Sequence, residues 1–195
     1  MLSRIRFATG NSHKLSEARA ALSGFLPSLE VYGHDGPEPI ESGVSFLENA
    51  QIKARAGFEI TGEPCFADDS GICVDVMGGA PGIFSAIWSG QRSDAGNREL
   101  LLAQLRDIPV DHRQASFVCT IALVISPSVE AAFTGVWSGS LAEAARGSGG
   151  FGYDPVFIPD EFQVTAAELP EDLKNSISHR SMALQQLAQF LKEFN

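Results

Sequence analysis

Between Cys65 and Asp75, two apolar, β-prone runs flank a pair of adjacent carboxylates. Phe66-Ala67 predicts the end of one short strand and Ile72-Cys73-Val74 the next. Asp68-Asp69-Ser70-Gly71 is then a tight corner between them, at which Gly71 permits a positive φ. Such a corner is either a plain polar turn, where Asp, Ser and Gly are common, or a rigid base that aims a carboxylate into a cleft as metal ligand or acid/base. The chain's 195 residues suffice for one domain, or one domain with two lobes, and for a sizeable core.

The segments on either side follow an α/β order. Arg4 to Ala8 alternates as a strand, and Thr9-Gly10-Asn11-Ser12 breaks it. A helix follows with Leu15, Ala18 and Leu22 on one face. Thr9, Asn11 and Lys14 therefore surround a helix N-terminus, where free N–H groups favour an anion. A lysine in that first turn opposes the helix dipole, so Lys14 calls for an anionic partner; the plainer alternative is an Asn cap with a solvated lysine. Leu29 to Tyr32 is a second strand. Ser45-x-x-Glu48 is a capping box opening a second helix, with Phe46, Ala50, Ala54 and Gly57 on its apolar face and Asn49 and Lys53 on a neighbouring one. Glu41, just ahead of that helix, and Lys53 are each either surface charges or site residues. Ser93 to Asp107 is a helix with Leu102 and Leu105 facing the core. Ala115 to Ile125 and Val129 to Trp137 form a hairpin about Ser126-Pro127-Ser128, with a third strand expected from Gly139 to Ala145.

Four glycines occupy six positions from Gly147 to Gly152, followed by Tyr153-Asp154-Pro155. Such a loop lets a flat ligand approach the backbone, and Phe151 and Tyr153 offer aromatic faces for a nucleobase; a flexible linker is the alternative, although linkers usually avoid aromatics. Lys174, His179 and Arg180 gather around the start of a last helix whose inner face is Leu184, Leu187, Ala188 and Leu191, a set of donors suited to an anion or to base carbonyls. Alternating strands and helices followed by a hairpin indicate a mixed α/β domain.

The net charge of −10 argues against a nucleic-acid polymer as partner, while leaving room for a small phosphate ligand held by a few lysines and a cation. Three cysteines without a C-x-x-C pattern suit small core residues in a reducing compartment. No apolar run approaches bilayer length and no leader-like h-region is visible, so the expectation is a soluble cytoplasmic protein without a membrane partner.

Six motifs run collinearly from Thr9 to Arg180: Thr9-Gly10-Asn11-Ser12-His13-Lys14; Glu41-Ser42-Gly43 with Phe46, Asn49-Ala50 and Lys53-Ala54; Ala67-Asp68-Asp69-Ser70-Gly71; Gly78-Gly79-Ala80-Pro81-Gly82; Gly149 to Pro155; and Lys174 with Ser178-His179-Arg180. With these the chain resembles the inosine triphosphate pyrophosphatase family. The resemblance implies one elongated α/β domain over residues 1–195, with a long central mixed sheet flanked by helices, two lobes and a substrate cleft between them. It implies a homodimer and hydrolysis of non-standard purine nucleoside triphosphates (ITP, dITP, XTP) to the monophosphate and pyrophosphate with Mg²⁺. Residue by residue, it implies that Thr9, Asn11, Lys14 and Lys53 contact phosphates, that Gly10, Ser12 and His13 also bind substrate, and that Glu41 and Asp69 hold the metal. It also implies that Asp69 is the proton acceptor, that Ser70 touches substrate, and that Phe151, Gly152, Tyr153, Asp154, Lys174, His179 and Arg180 recognise the base. One departure is that bacterial members often carry Ser-Ala-Arg-Tyr where this chain has Ser85-Ala86-Ile87-Trp88. Two other readings compete: a pyrophosphatase of related fold acting on modified pyrimidine nucleotides, and a non-catalytic nucleotide-binding protein.

Overall fold

The computed structural model describes residues 2–34 and 36–194. Its strands are β1 (Arg4–Phe7), β2 (Glu30–Gly33), β3 (Cys65–Val74), β4 (Gln114–Ser126), β5 (Val129–Leu141) and β6 (Phe157–Pro159). Its α-helices are α1 (Ser12–Phe25), α2 (Phe46–Thr61), α3 (Asp94–Gln104), α4 (Glu171–Ile177) and α5 (His179–Phe194). The strands form one mixed sheet in the order β2-β1-β3-β4-β5-β6. β1 is parallel to β2 and β3, and β5 is antiparallel to β6. This is the mixed α/β class expected from the alternation of elements. No helix among the described residues is long and apolar enough to cross a membrane. The chain divides into two compact units: Met1–Asp69, Cys119–Gly135 and His179–Asn195 form the first, Ser70–Val118 and Val136–Ser178 the second.

In the first unit, α1 starts where the Asn11 side chain accepts from the amides of His13 and Lys14, and it buries Ala18 and Leu22. α2 starts at Ser45, whose side chain accepts from Glu48 N. The Glu48 carboxylate reaches back to Val44 N at 2.8 Å, one residue beyond the Ser45 amide that a reciprocal box would use. One apolar cluster gathers Ile5, Phe7, Leu22, Phe66, Cys119, Ile121, Leu184 and Leu187, with the Phe7 and Phe66 rings stacked 4.4 Å apart. Each such ring, fully buried, contributes about 1.5–3 kcal/mol. A separate cluster gathers Ala50, Ala54, Cys65, Ala67, Ala122 and Val124. Its members are small because α2 lies close to the strand: a Cβ added to Gly57 would strike Cys65 Sγ. Successive residues of β3 therefore alternate between the face of α1 and α5 and the face of α2.

The expected corner at Asp68-Asp69-Ser70-Gly71 is absent: β3 runs unbroken from Cys65 to Val74. Gly71 is not among the positive-φ glycines. Its glycine answers to packing, since a Cβ there would collide with the Gly82 carbonyl and Ser85 Oγ. That hydroxyl accepts from Ile72 N at 2.9 Å.

The second unit packs Phe117, Trp137 and Phe157 ring against ring, with Leu101, Leu105, Leu141 and Val156 buried. α3, capped by Ser93, buries Leu101 rather than the expected Leu102, which is only half-buried. Gly139 to Leu141 is the end of β5, not a separate strand, and pairs with β6. Lys174 does not open the last helix. It lies in the last turn of α4, where a cation suits the dipole, and α5 begins separately at His179.

Candidate active site

The alternation along β3 sends two adjacent carboxylates to opposite faces. Asp68, 2% exposed, points to α1 and α5. There the Lys14 ammonium lies 3.0 Å from both of its oxygens. Arg180, 4% exposed, donates to Asp68 Oδ2 from Nε at 3.3 Å and Nη2 at 3.4 Å, and to Glu17 from Nη1 at 2.5 Å. The Cys119 thiol donates to the same oxygen at 3.8 Å. Burial alone would raise the Asp68 carboxyl, but Lys14, Arg180 and Lys53 outweigh it and hold the group far below the usual carboxylate range. Burial likewise pushes the Cys119 thiol up to about 12, so it stays protonated. The anionic partner expected for Lys14 is thus Asp68. Arg180, grouped in the sequence with the base-recognition residues, is paired with Asp68 and Glu17.

Asp69, 8% exposed, points to α2. Asn49 Nδ2 donates to its Oδ2 at 3.1 Å, and the Lys53 ammonium lies 3.8 Å from Oδ1. Lys53 also donates to Glu41 Oε1 at 2.6 Å. Asn49 Oδ1 accepts from Gly43 N at 2.9 Å, which ties the Glu41-Ser42-Gly43 loop to the same point. Burial pushes the Asp69 carboxyl up against the pull of Lys53 and Asn49. Burial pulls Lys53 down, but Asp68, Asp69 and Glu41 together raise it, so it is charged. Among the described residues no group of three or more His, Cys, Asp or Glu is arranged to hold a metal ion. Two carboxylates meeting at one cationic position is nonetheless the donor set a magnesium ion uses when waters and substrate phosphates complete its shell.

At the start of α1, Thr9 Oγ1 accepts from Asn11 N at 3.2 Å, and Gly10 N donates to Glu38 Oε1 at 2.9 Å. A carboxylate therefore holds an amide of the kind that takes a phosphate oxygen. Ser12 and His13 are the exposed first residues of α1.

In the second unit, Gly150 and Gly152 carry positive φ of 68° and 57° on either side of Phe151. Asp154 Oδ2 accepts from Phe151 N at 2.9 Å and from Lys174 Nζ at 2.7 Å. The Lys174 ammonium also stands 5.2 Å from the Phe151 ring centroid, a cation–π distance. Tyr153 is buried, and its hydroxyl donates to the Ser85 carbonyl at 2.8 Å. It is an anchor rather than a free aromatic face. The Phe151 and Gly152 amides are both taken by carboxylates, those of Asp154 and Asp94. Ser70 is half-buried on β3, and His179, buried, is the first residue of α5.

Asp68 had no settled role in the sequence, and Asn49, Glu17 and Glu38 were not singled out as site residues. Asn49 stood one helical turn before Lys53, the signal that would have found it. Glu17 and Glu38 gave none.

The model of the Ham1 family matches residues 5–190 of this chain. A dITP/XTP pyrophosphatase of Leifsonia xyli is 50% identical over 190 residues, covering 97% of this chain and 96% of the relative. The structure of a HAM1 protein from Coxiella burnetii superposes with a TM-score of 0.88 at 40% identity, covering 99% of this chain and 100% of that one. A nucleoside-triphosphatase / dITP/XTP pyrophosphatase from Mycobacterium abscessus superposes with a TM-score of 0.77 at 44% identity, covering 94% and 98%. These matches agree with the resemblance drawn from the six motifs.

Proposed function

The chain belongs to the Ham1 family, and from that premise we propose that it hydrolyses non-standard purine nucleoside triphosphates, dITP, ITP and XTP, to the monophosphate and pyrophosphate. The observation that carries the reading is the meeting of Glu41 and Asp69 at Lys53, beside the Lys14–Asp68 pair. The residues around Lys14 and Lys53 are assigned the triphosphate and the Phe151 loop the purine. Lys14, Lys53 and the Thr9 to His13 turn supply positive charge and N–H donors to phosphate oxygens. Glu41 and Asp69 would hold a divalent cation, Mg²⁺ in this reading. When bound, that cation neutralises the phosphates and the leaving pyrophosphate. Asp69 takes the proton of the attacking water, and the raised carboxyl that burial gives it suits that role. Asp68 holds Lys14 and Arg180 in place. The Phe151 ring stacks on the base, and His179 and Ser70 complete the substrate contacts. Lys174, which spends one of three donors on Asp154, meets the C6 carbonyl of hypoxanthine or xanthine with another. Facing adenine's amino group, such a donor is left unpaired at a cost of about 1–3 kcal/mol. Three free cysteines support a reducing, cytoplasmic setting. The homodimer rests on the family resemblance.

A nucleoside triphosphate panel with and without Mg²⁺, run in ¹⁸O-water with pyrophosphate detection, tests the reading. The label is expected in the monophosphate, with ITP and XTP favoured over ATP in kcat/KM by a factor on the order of 10²–10⁴. Equal rates on ATP, or release of single phosphates, would overturn it.

A further inference from the structure

The second unit holds a set of bonds that the proposed chemistry does not use. Both polar groups of the Gly152 main chain are gripped by one helix. Gly152 N donates to Asp94 Oδ2 at 2.8 Å, and the Gly152 carbonyl accepts from Arg98 Nη1 at 2.5 Å. Asp94 and Arg98 stand four residues apart on α3, so they share a face and reach the same residue together. The helix does not need Asp94 as its cap, because Ser93 already accepts from Gly96 N at 3.2 Å. Gly152 itself has open space where a Cβ would stand, so only its φ of 57° calls for glycine there. A residue with that freedom in a glycine-dense loop has many conformations to lose, and two charge-assisted bonds select one of them. Phe151 precedes it directly, with its own amide tied to Asp154 and Lys174 over its ring. The main chain is therefore fixed on both sides of the aromatic ring, from Asp154 on one side and from α3 on the other.

We propose that Asp94 and Arg98 are positioning residues for base recognition: by clamping Gly152 they set the plane of the Phe151 ring and with it the preference for 6-oxopurine nucleotides. This rests on the functional reading given above, in which Phe151 stacks on the purine. Neither residue touches substrate. Their removal should act on base binding and selectivity and leave the phosphate chemistry alone.

The test uses Asp94→Ala, Arg98→Met and the conservative Asp94→Asn, whose amide oxygen still accepts from Gly152 N–H. Exchange of the Gly152 amide in the free enzyme, followed by NMR, should accelerate by roughly tenfold or more in Asp94→Ala and stay near wild type in Asp94→Asn. KM for ITP should rise by about 5- to 30-fold in Asp94→Ala and Arg98→Met, with kcat within about twofold, and the ITP-to-ATP ratio of kcat/KM should fall by a similar factor. Pyrophosphate inhibition should be unchanged, and Asp94→Asn should restore most of the ITP preference. Faster exchange with unchanged KM and ratio would make the clamp a purely structural tie and overturn the proposal. So would unchanged exchange, or an equal loss toward ITP, ATP and pyrophosphate. A wild-type enzyme inactive on ITP would bring down the functional reading and this inference with it, whereas an active wild type with unaltered variants overturns this inference alone.

Discussion

The two clusters are held in place by different physics. Around Asp68 the ties are between full charges, two buried and two half-buried: Lys14 and Arg180 converge on one carboxylate, and Glu17 holds Arg180 from the other side. Around Phe151, apart from the Lys174–Asp154 pair, the ties run to main-chain groups of the loop and of Ser85. A buried ion network fails expensively, because removing one member strands the charge of the next. A peptide hydrogen bond fails at about 0.5–1.5 kcal/mol, or up to about 3 when one partner is charged. The first cluster's weakness is therefore the fold, and the second's is discrimination among bases.

Asp68→Asn would break this contrast hardest. It leaves the Arg180 and Lys14 charges facing an amide, and the expected loss is about 3–5 kcal/mol of unfolding free energy by urea titration at neutral pH. The pH dependence has a definite sign. The folded Asp68 carboxyl is depressed, so its contribution is present above the unfolded value of about 3.9 and is lost as pH falls through the lower folded value. The gap between wild type and variant should narrow in strong acid and not at alkaline pH. A variant as stable as wild type at pH 7 would remove Asp68 from its anchoring role.

Asp69→Asn should do the reverse. Turnover of ITP should fall by roughly 10²-fold or more, while stability holds or rises, because the folded protein raises that carboxyl rather than stabilising its charge. Near-normal turnover in a folded variant would take Asp69 out of the chemistry. The smallest effect is expected in the second unit. Phe151→Ala should weaken ITP binding by about 1–3 kcal/mol in calorimetry, with pyrophosphate affinity and melting temperature close to wild type. A matching loss of pyrophosphate affinity would erase the proposed division of labour.

The same contrast governs what could be read from the sequence. α1 with its Asn11 cap, α2 with its Ala face and the β4–β5 hairpin were legible because neighbours three or four residues apart, or a short turn, decide them. The Asp68-Asp69 segment was misread as a turn because local preference for Asp-Asp-Ser-Gly favours one. What keeps it extended is distant: Lys14 is 54 residues away and Arg180 is 112. Gly71 was misassigned for a related reason. Its missing side chain answers to Gly82 and Ser85, contacts that no local rule encodes. The motifs named the candidate residues, but Arg180's attachment to Asp68 and the bonds from α3 to Gly152 emerge only when the chain is folded.

Asp68 and Asp69 are chemically identical, and parity along β3 alone separates their surroundings. Sliding the strand by one residue against its neighbours would exchange them, turning the anchoring carboxylate toward Lys53 and the other toward Arg180. The safeguard is Phe66. Its ring fits against Phe7, and the opposite face, lined by Ala50, Ala54 and Gly57, has room only for the likes of Cys65 and Ala67. A slipped strand would have to drive a phenyl ring into that space, so an aromatic two residues upstream of Asp68 keeps the reading frame of the site. One-residue insertions or deletions between Phe66 and Asp68 should be tolerated far less well than substitutions at either end of the strand.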